Sequence, residues 1–322
     1  MRANVATIVT LMFLCISCRP VERGKEISIA VPFRAYSLPL YIAQENKLFA
    51  NNGLNVVLYR TETGHDAYER VAQGISYMAI VPEGIACRAM YDERVVILGV
   101  LTVASDEERI VYRRDRIRDM KKDLPDARVG FLQNSVSGDL FFDLYCEKYG
   151  IKKNTVKKES LSFTQLSDRL VRGELDAVVI IEPYAGMLHA KNRTDFEVHT
   201  ETGMYTKFIY VVAHAMTYEL YPREFHALFD SLIQAERTMY SDAEEVARVS
   251  DLYLGKGVFQ PEKLFLDYHF YLHVPHDSEE ILSQRAFRLG ITEQKKHRDF
   301  LRIDLYTPHY LHRVQQHREF VE

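Results

Sequence analysis

Four short stretches of the 322-residue chain bring aromatic, charged and hydroxyl side chains together just after an apolar run. The first is Phe33-Arg34-Ala35-Tyr36-Ser37. Phe33 and Tyr36 can sandwich a flat ring, Arg34 can pair with an anionic group, and Ser37 can cap a helix or donate to a ligand. The second is Pro82-Glu83-Gly84, where Glu83 can accept from an amine or ring N–H, or merely favour the N-terminus of a following helix. The third, Gln133-Asn134-Ser135-Val136-Ser137-Gly138, joins a strand to a helix. Its N–H groups and the hydroxyls of Ser135 and Ser137 form a cradle for an anion or polar group, with plain capping as the alternative use. The fourth is Glu182-Pro183-Tyr184, which serves either a ligand or only the closure of a strand. All of this is binding chemistry: Phe33, Arg34, Tyr36, Ser37, Pro82, Glu83, Gly84, Asn134, Ser135, Ser137, Glu182 and Tyr184 are the candidate ligand contacts.

Catalytic patterns are missing from the sequence. It contains no Walker-type phosphate loop, no Gly-x-Ser-x-Gly elbow and no dinucleotide glycine fingerprint, and Gly255-Lys256-Gly257 is too short to count. His269 and His273 are four apart, as zinc ligands on a helix can be, but no Glu stands between them in the metalloprotease arrangement and Pro275 interrupts the element before His276. These histidines, with His309, His312 and His317, read as surface or partly buried groups. The chain is therefore expected to be no enzyme and to need no metal or cofactor.

The elements that must position the four stretches alternate along the chain. Glu26–Pro32 reads as a strand, Leu38–Asn52 as a helix closed by Gly53, Leu54–Tyr59 as a strand, Asp66–Gln73 as a short helix, and Ser76–Val81 and Val95–Leu101 as buried strands. A second set follows: strands at Arg109–Arg113, Ala127–Leu132 and Ala177–Ile181, with helices at Gly138–Tyr149 and Gln165–Arg172. Phe208–Ala213 reads as one more strand; beyond residue 222 the pattern is almost wholly helical, with Phe225, Leu228, Phe229, Leu232 and Ile233 on one face. Such alternation predicts an α/β fold of mostly parallel sheets with helices on both faces, and in such sheets ligands bind beyond the carboxyl ends of the strands. Polar passages at Thr102–Glu108 and Thr200–Lys207 predict two crossings between two lobes, which makes the first lobe discontinuous.

Composition narrows the function. With 41 basic and 45 acidic residues the net charge is −4, which argues against nucleic acid as the main partner, and four cysteines are too few for a disulfide scaffold. Cys87 and Cys146 can be a pair or two buried thiols. The N-terminus reads as a leader: Arg2, an apolar run from Val5 to Leu14 too short to span a bilayer, then Ser17 directly before Cys18. This resembles the bacterial lipoprotein processing site, with Cys15 standing where Leu is usual. Cys18 is then the lipidated first residue, a cleaved soluble signal and an uncleaved anchor being the other two readings.

The order of motifs resembles a known family. Pro39–Val56, with its long helix followed by Gly53-Leu54 and a strand, is similar to the opening of solute-binding proteins for thiamine pyrimidines, sulfonates, taurine and nitrate; Ala72–Ile80 after it, Gly173–Val178 in the second lobe and Ile181–Ala185 are similar to later parts of the same family. The resemblance covers residues 26–215. It implies a two-lobed type II periplasmic binding protein fold, with mixed, mostly parallel sheets, a two-strand hinge and a helical C-terminal part. The expected division is signal peptide 1–17, tether 18–25, lobe 1 from 26–104 plus 208–322, and lobe 2 from 105–207. It also implies a small-molecule ligand, ABC permease and ATPase subunits as partners, and a monomeric receptor held by its lipid on the periplasmic face or cell surface. Aromatics with carboxylates suit a flat heterocycle, a thiamine-type pyrimidine first and riboflavin second, in vitamin uptake. Arg34 and the serine loop suit a sulfonate or taurine-type anion instead, and the pyrimidine synthase that shares this fold is the enzyme alternative. If Cys18 carries lipid, radiolabelled palmitate will enter the wild-type protein and partition with it into the detergent phase; Cys18→Ser will abolish both.

Overall fold

The computed structural model describes residues 25–133, 135–256, 261–273, 277–291, 296–297 and 300–302. Cys18, Asn134, His276, His309, His312 and His317 lie outside the described residues.

Six strands build the first sheet: β1 (Glu26–Pro32), β2 (Asn55–Thr61), β3 (Met78–Pro82), β4 (Val95–Ser105), β10 (Thr206–His214) and β11 (Tyr268–His273). Their order is β11-β4-β10-β3-β1-β2. β1 runs parallel to β2 and β3, whereas β10 lies antiparallel between β3 and β4. Every residue of β1 after Glu26 is buried, because helices cover both faces of the sheet; this is why the strand reads as a near-continuous apolar run. The second sheet is formed by β5 (Glu108–Arg113), β6 (Arg128–Leu132), β7 (Lys157–Leu161), β8 (Ala177–Ile181) and β9 (Phe196–His199), ordered β7-β6-β8-β5-β9. We call the two bodies lobe 1 and lobe 2. The chain passes between them twice, from β4 into β5 and from β9 back into β10.

Local signals hold where packing agrees with them. The helix Val136–Tyr149 is capped by Ser135, whose hydroxyl accepts from the Gly138 N–H at 3.3 Å, and it ends at Gly150 in the left-handed region with φ +68°. Thr63 and Asp66 form a capping box on the helix Gly64–Ala72, and Ser162 and Gln165 form another on Phe163–Val171. The 20-residue helix Pro222–Ser241 buries Phe225, Leu228, Phe229, Leu232 and Ile233 against lobe 1, as its periodicity predicts.

Three expectations need correction. The helix expected over Leu38–Asn52 is two, Leu38–Glu45 and Leu48–Asn51, because Lys47 between them adopts φ 56°. The C-terminal part is not wholly helical: Tyr268–His273 forms β11, pairing antiparallel with β4. His269 and His273 therefore sit on a strand, with His269 exposed and His273 buried, not on one helical face. β7 and β9 escape sequence reading because they are edge strands. Lys157, Lys158 and Ser160 of β7 face solvent, so its sequence KKESL carries no apolar signature.

Cys87 and Cys146 are buried and unpaired, one in each lobe. Among the described residues no helix is long and apolar enough to cross a membrane.

Gly64 shows how tightly the helix starting there meets the end of β3. A Cβ at this position would stand 2.3 Å from Pro82 Cδ, in a ring that cannot rotate away. Gly64→Ala is expected to destabilise the protein by about 1–3 kcal/mol, read as a lower midpoint in urea with an unchanged m-value.

Candidate functional site

The carboxyl ends of the parallel strands converge between the lobes. From lobe 1 come the segments after β1, β2 and β3; from lobe 2 come those after β6, β7 and β8. They enclose an outer chamber of about 450 Å³ lined by Phe33, Arg34, Arg60, Thr61, Glu62 and Thr63 on one side and Leu132, Gln133, Ser162, Phe163, Thr164 and Tyr184 on the other. A narrower inner recess continues toward the crossing segments, where Tyr36, Pro82, Ser135, Ser137 and Lys207 form its walls.

Aromatic groups and guanidiniums dominate the outer chamber. Arg60 stacks on the Phe33 ring at 3.9 Å. Tyr184 packs on Phe163 with ring centroids 4.3 Å apart. Arg34 spans the cleft: it donates to the Phe33 carbonyl at 2.7 Å and to the Tyr184 hydroxyl of the other lobe at 3.4 Å. Among the described residues neither Arg34 nor Arg60 has a carboxylate in ion-pair contact, so both present net positive charge to the chamber.

Of the residues singled out from sequence, Phe33, Arg34, Tyr36, Pro82, Ser135, Ser137 and Tyr184 line the cleft. Asn134 lies outside the described residues, and the other four are engaged elsewhere. Ser37 is fully buried and donates to the Pro32 carbonyl at 2.9 Å, tying the loop back to β1. Glu83 is also fully buried: its carboxylate accepts from the Tyr205 hydroxyl at 3.0 Å and the Phe208 N–H at 3.0 Å, and pairs with Arg285 at 2.8 Å. Burial raises the pKa of Glu83, with Arg285 working against the shift. Gly84 is where the lobes touch; a Cβ there would lie 2.5 Å from Val136 Cγ1. Glu182 accepts from the Gly186 N–H at 3.1 Å and sits 3.6 Å from Arg109.

Sequence reasoning missed Arg60–Thr63, Ser162–Thr164 and Lys207. The rule that ligands bind beyond strand ends, applied to β2, points to the first group. Nothing in the sequence marks the second, because β7 itself is hidden.

Lys207 is the most constrained of the missed residues. It is 1% exposed at the start of β10, and its ammonium contacts Glu107 and lies 2.8 Å from Glu108, both in the other crossing segment. Tyr268 donates to Glu107 at 2.8 Å from β11. Burial opposes the charge on Lys207, but the two carboxylates outweigh it and its pKa is raised. Glu108 is pushed up by burial, with Lys207 pulling it down.

Two α/β lobes joined by a pair of crossing segments around a ligand-sized cleft define the type II periplasmic binding protein fold. The chain belongs to the family described as NMT1/THI5 like, whose sequence profile matches residues 34–242, more than half of its length. Solved structures share the fold at low identity. The alkanesulfonate-binding protein SsuA from Xanthomonas axonopodis pv. citri, bound to MOPS, superposes with a TM-score of 0.72 at 12% identity, over 85% of this chain and 96% of that one. The periplasmic aliphatic sulphonate binding protein SsuA of Escherichia coli gives 0.70 at 14%, over 86% and 96%. The periplasmic nitrate-binding protein NrtA of Synechocystis PCC 6803 gives 0.68 at 11%, over 90% and 88%. No curated protein matches the sequence.

Removing the Lys207 ammonium leaves two buried carboxylates without their counter-ion. Lys207→Met is expected to lose about 3–5 kcal/mol at neutral pH. Part of this should return as pH falls from neutral toward the ordinary carboxylate range, because a buried carboxyl without its counter-ion binds a proton in the folded state before the unfolded one does. Chemical denaturation across pH checks it; a loss independent of pH would refute the assignment.

Proposed function

We propose that this protein is the solute-binding receptor of an ABC importer, exported and tethered to the membrane through Cys18, which captures a small ligand between its lobes and delivers it to the permease and ATPase subunits. The observation that carries this reading is the chamber of about 450 Å³ whose walls come from both lobes, so that a bound molecule favours the closed arrangement. Family membership supports it, as do the fold relatives named for binding sulfonates and nitrate.

The ligand class follows from the walls. Phe33, Phe163 and Tyr184 offer ring faces, and a flat heterocycle of the thiamine-pyrimidine or riboflavin kind is the first reading. With Glu83 and Glu182 engaged by the protein, its amino or ring N–H groups fall to Glu62 and Gln133, which line the same chamber. A second reading, a sulfonate-type anion, is favoured by Arg34 and Arg60 with the hydroxyl of Ser135, which accepts from the Gly138 N–H and keeps its own proton to donate.

Titration calorimetry with an aminopyrimidine, thiamine, riboflavin and taurine separates the two, and denaturing the purified protein identifies any co-purified ligand by mass. The heterocycle reading expects binding that Tyr184→Ala weakens by about tenfold or more, with Arg34→Ala the smaller loss. Binding of taurine alone, abolished by Arg34→Ala, would establish the anion receptor instead.

A further inference from the structure

The family match ends at residue 242, and the elements that follow reach across to the crossing segments and to lobe 2 from outside the cleft. Beside β4, Asp267, the last residue of the helix Pro261–Asp267 that leads into β11, lies 3.7 Å from Arg109 of lobe 2, whose guanidinium also stands 3.6 Å from Glu182. The Arg109 side chain is only 8% exposed, so it has little freedom to exchange these carboxylates for water. Beside β10, the helix Ser278–Arg288 packs Leu282 and Ala286 into the lobe 1 core, and Arg285 donates to the Thr206 carbonyl at 3.3 Å while pairing with Glu83. One turn further on, Arg288 is 3.1 Å from Glu147 in the lobe 2 helix Val136–Tyr149, and Leu289 packs against the lobe 2 core.

Besides the Lys207 cluster, two ion pairs thus join lobe 1 to lobe 2 at separate places, and none of their residues lines the ligand chamber. A rotation of the lobes about the crossing segments changes the separation in each pair, whereas the Glu83–Arg285 contact stays within lobe 1. We propose that Asp267 and the helix Ser278–Arg288 form a clamp on the hinge, which sets the ratio of closed to open lobes before any ligand binds. The inference goes beyond the receptor reading, because it concerns the unliganded protein and needs no knowledge of what the cleft takes.

The test is a distance measurement by pulsed electron paramagnetic resonance on the unliganded full-length chain. Ala50 in lobe 1 and Lys157 in lobe 2, both exposed, are replaced by p-acetylphenylalanine for ketoxime spin labels, which leaves every cysteine untouched. Asp267→Asn and Arg288→Glu are each expected to shift the population away from the wild-type inter-lobe distance by about threefold, the size of a partly exposed ion pair. Adding Glu147→Arg to Arg288→Glu should restore the wild-type distribution; Arg288→Gln, a gentler change, should shift it in the same direction if the reversed charge prevents folding. Unchanged distance distributions accompanied only by lower melting temperatures would reduce these contacts to ordinary stabilisation and overturn the clamp. So would a shift that the charge-swapped pair fails to reverse.

Discussion

A lysine ammonium with almost no access to water, held between two glutamates, fixes how the two lobes meet. Lys207 stands where the returning segment enters β10 of lobe 1, and Glu107 and Glu108 stand where the outgoing segment enters β5 of lobe 2. Taking three charges out of water is expensive, and the mutual attraction offsets it only if the geometry is held closely. The crossing segments are accordingly pinned from several directions: Tyr268 anchors Glu107, while Tyr205 and the Phe208 N–H anchor Glu83 close by. Such a network holds the two crossings to each other, where their backbones also pair antiparallel at Ser105–Thr206 and Ala104–Lys207. That combination suits a hinge better than an apolar core would, because directional charge pairs fix one register where close-packed methyl groups would tolerate several.

From this pinned hinge the cleft follows. β1 and β3 point their carboxyl ends at the gap from one side, β6 and β8 from the other, and the loops after them carry the side chains that face a ligand. The chamber is cationic at its rim, through Arg34 and Arg60, and aromatic along its walls. At the inner recess lies the Lys207 ammonium, whose charge is already paired with Glu107 and Glu108. A ligand therefore competes with no internal ion pair at the rim, and the cost of desolvating that ammonium has been met during folding.

How much of this was legible in the sequence depends on whether a residue's partner is local or distant. The amphipathic face from Phe225 to Ile233 and the buried strands Ile27–Val31 and Met78–Val81 are local, and each reads correctly; so is the Ser135 cap, which stood as the alternative to a ligand cradle. Glu83 reads as a ligand contact because a carboxylate after a strand usually faces the cleft; its partners Arg285, Tyr205 and Phe208 are more than a hundred residues away and leave no trace nearby. Ser37 follows the same logic at short range, its hydroxyl satisfied by a carbonyl five residues back rather than by a ligand or the helix. β7 and β11 fail for another reason. An edge strand rich in lysine, or one embedded among helices, carries no period-two pattern strong enough to announce itself.

The place of β10 in the first sheet has a consequence for how the molecule is made. β10 sits between β3 and β4, yet more than ninety residues of lobe 2 separate it from β4 in the chain. A ribosome therefore delivers β1 to β4 long before the strand that joins them, and the facing edges of β3 and β4 must wait unpaired. Lobe 2, whose five strands all lie between Glu108 and His199, contains every partner its own sheet needs and can finish first. The middle of the polypeptide thus holds a complete sheet at a point where the beginning still lacks β10. Throughout that interval the unfinished half depends on being kept from aggregation.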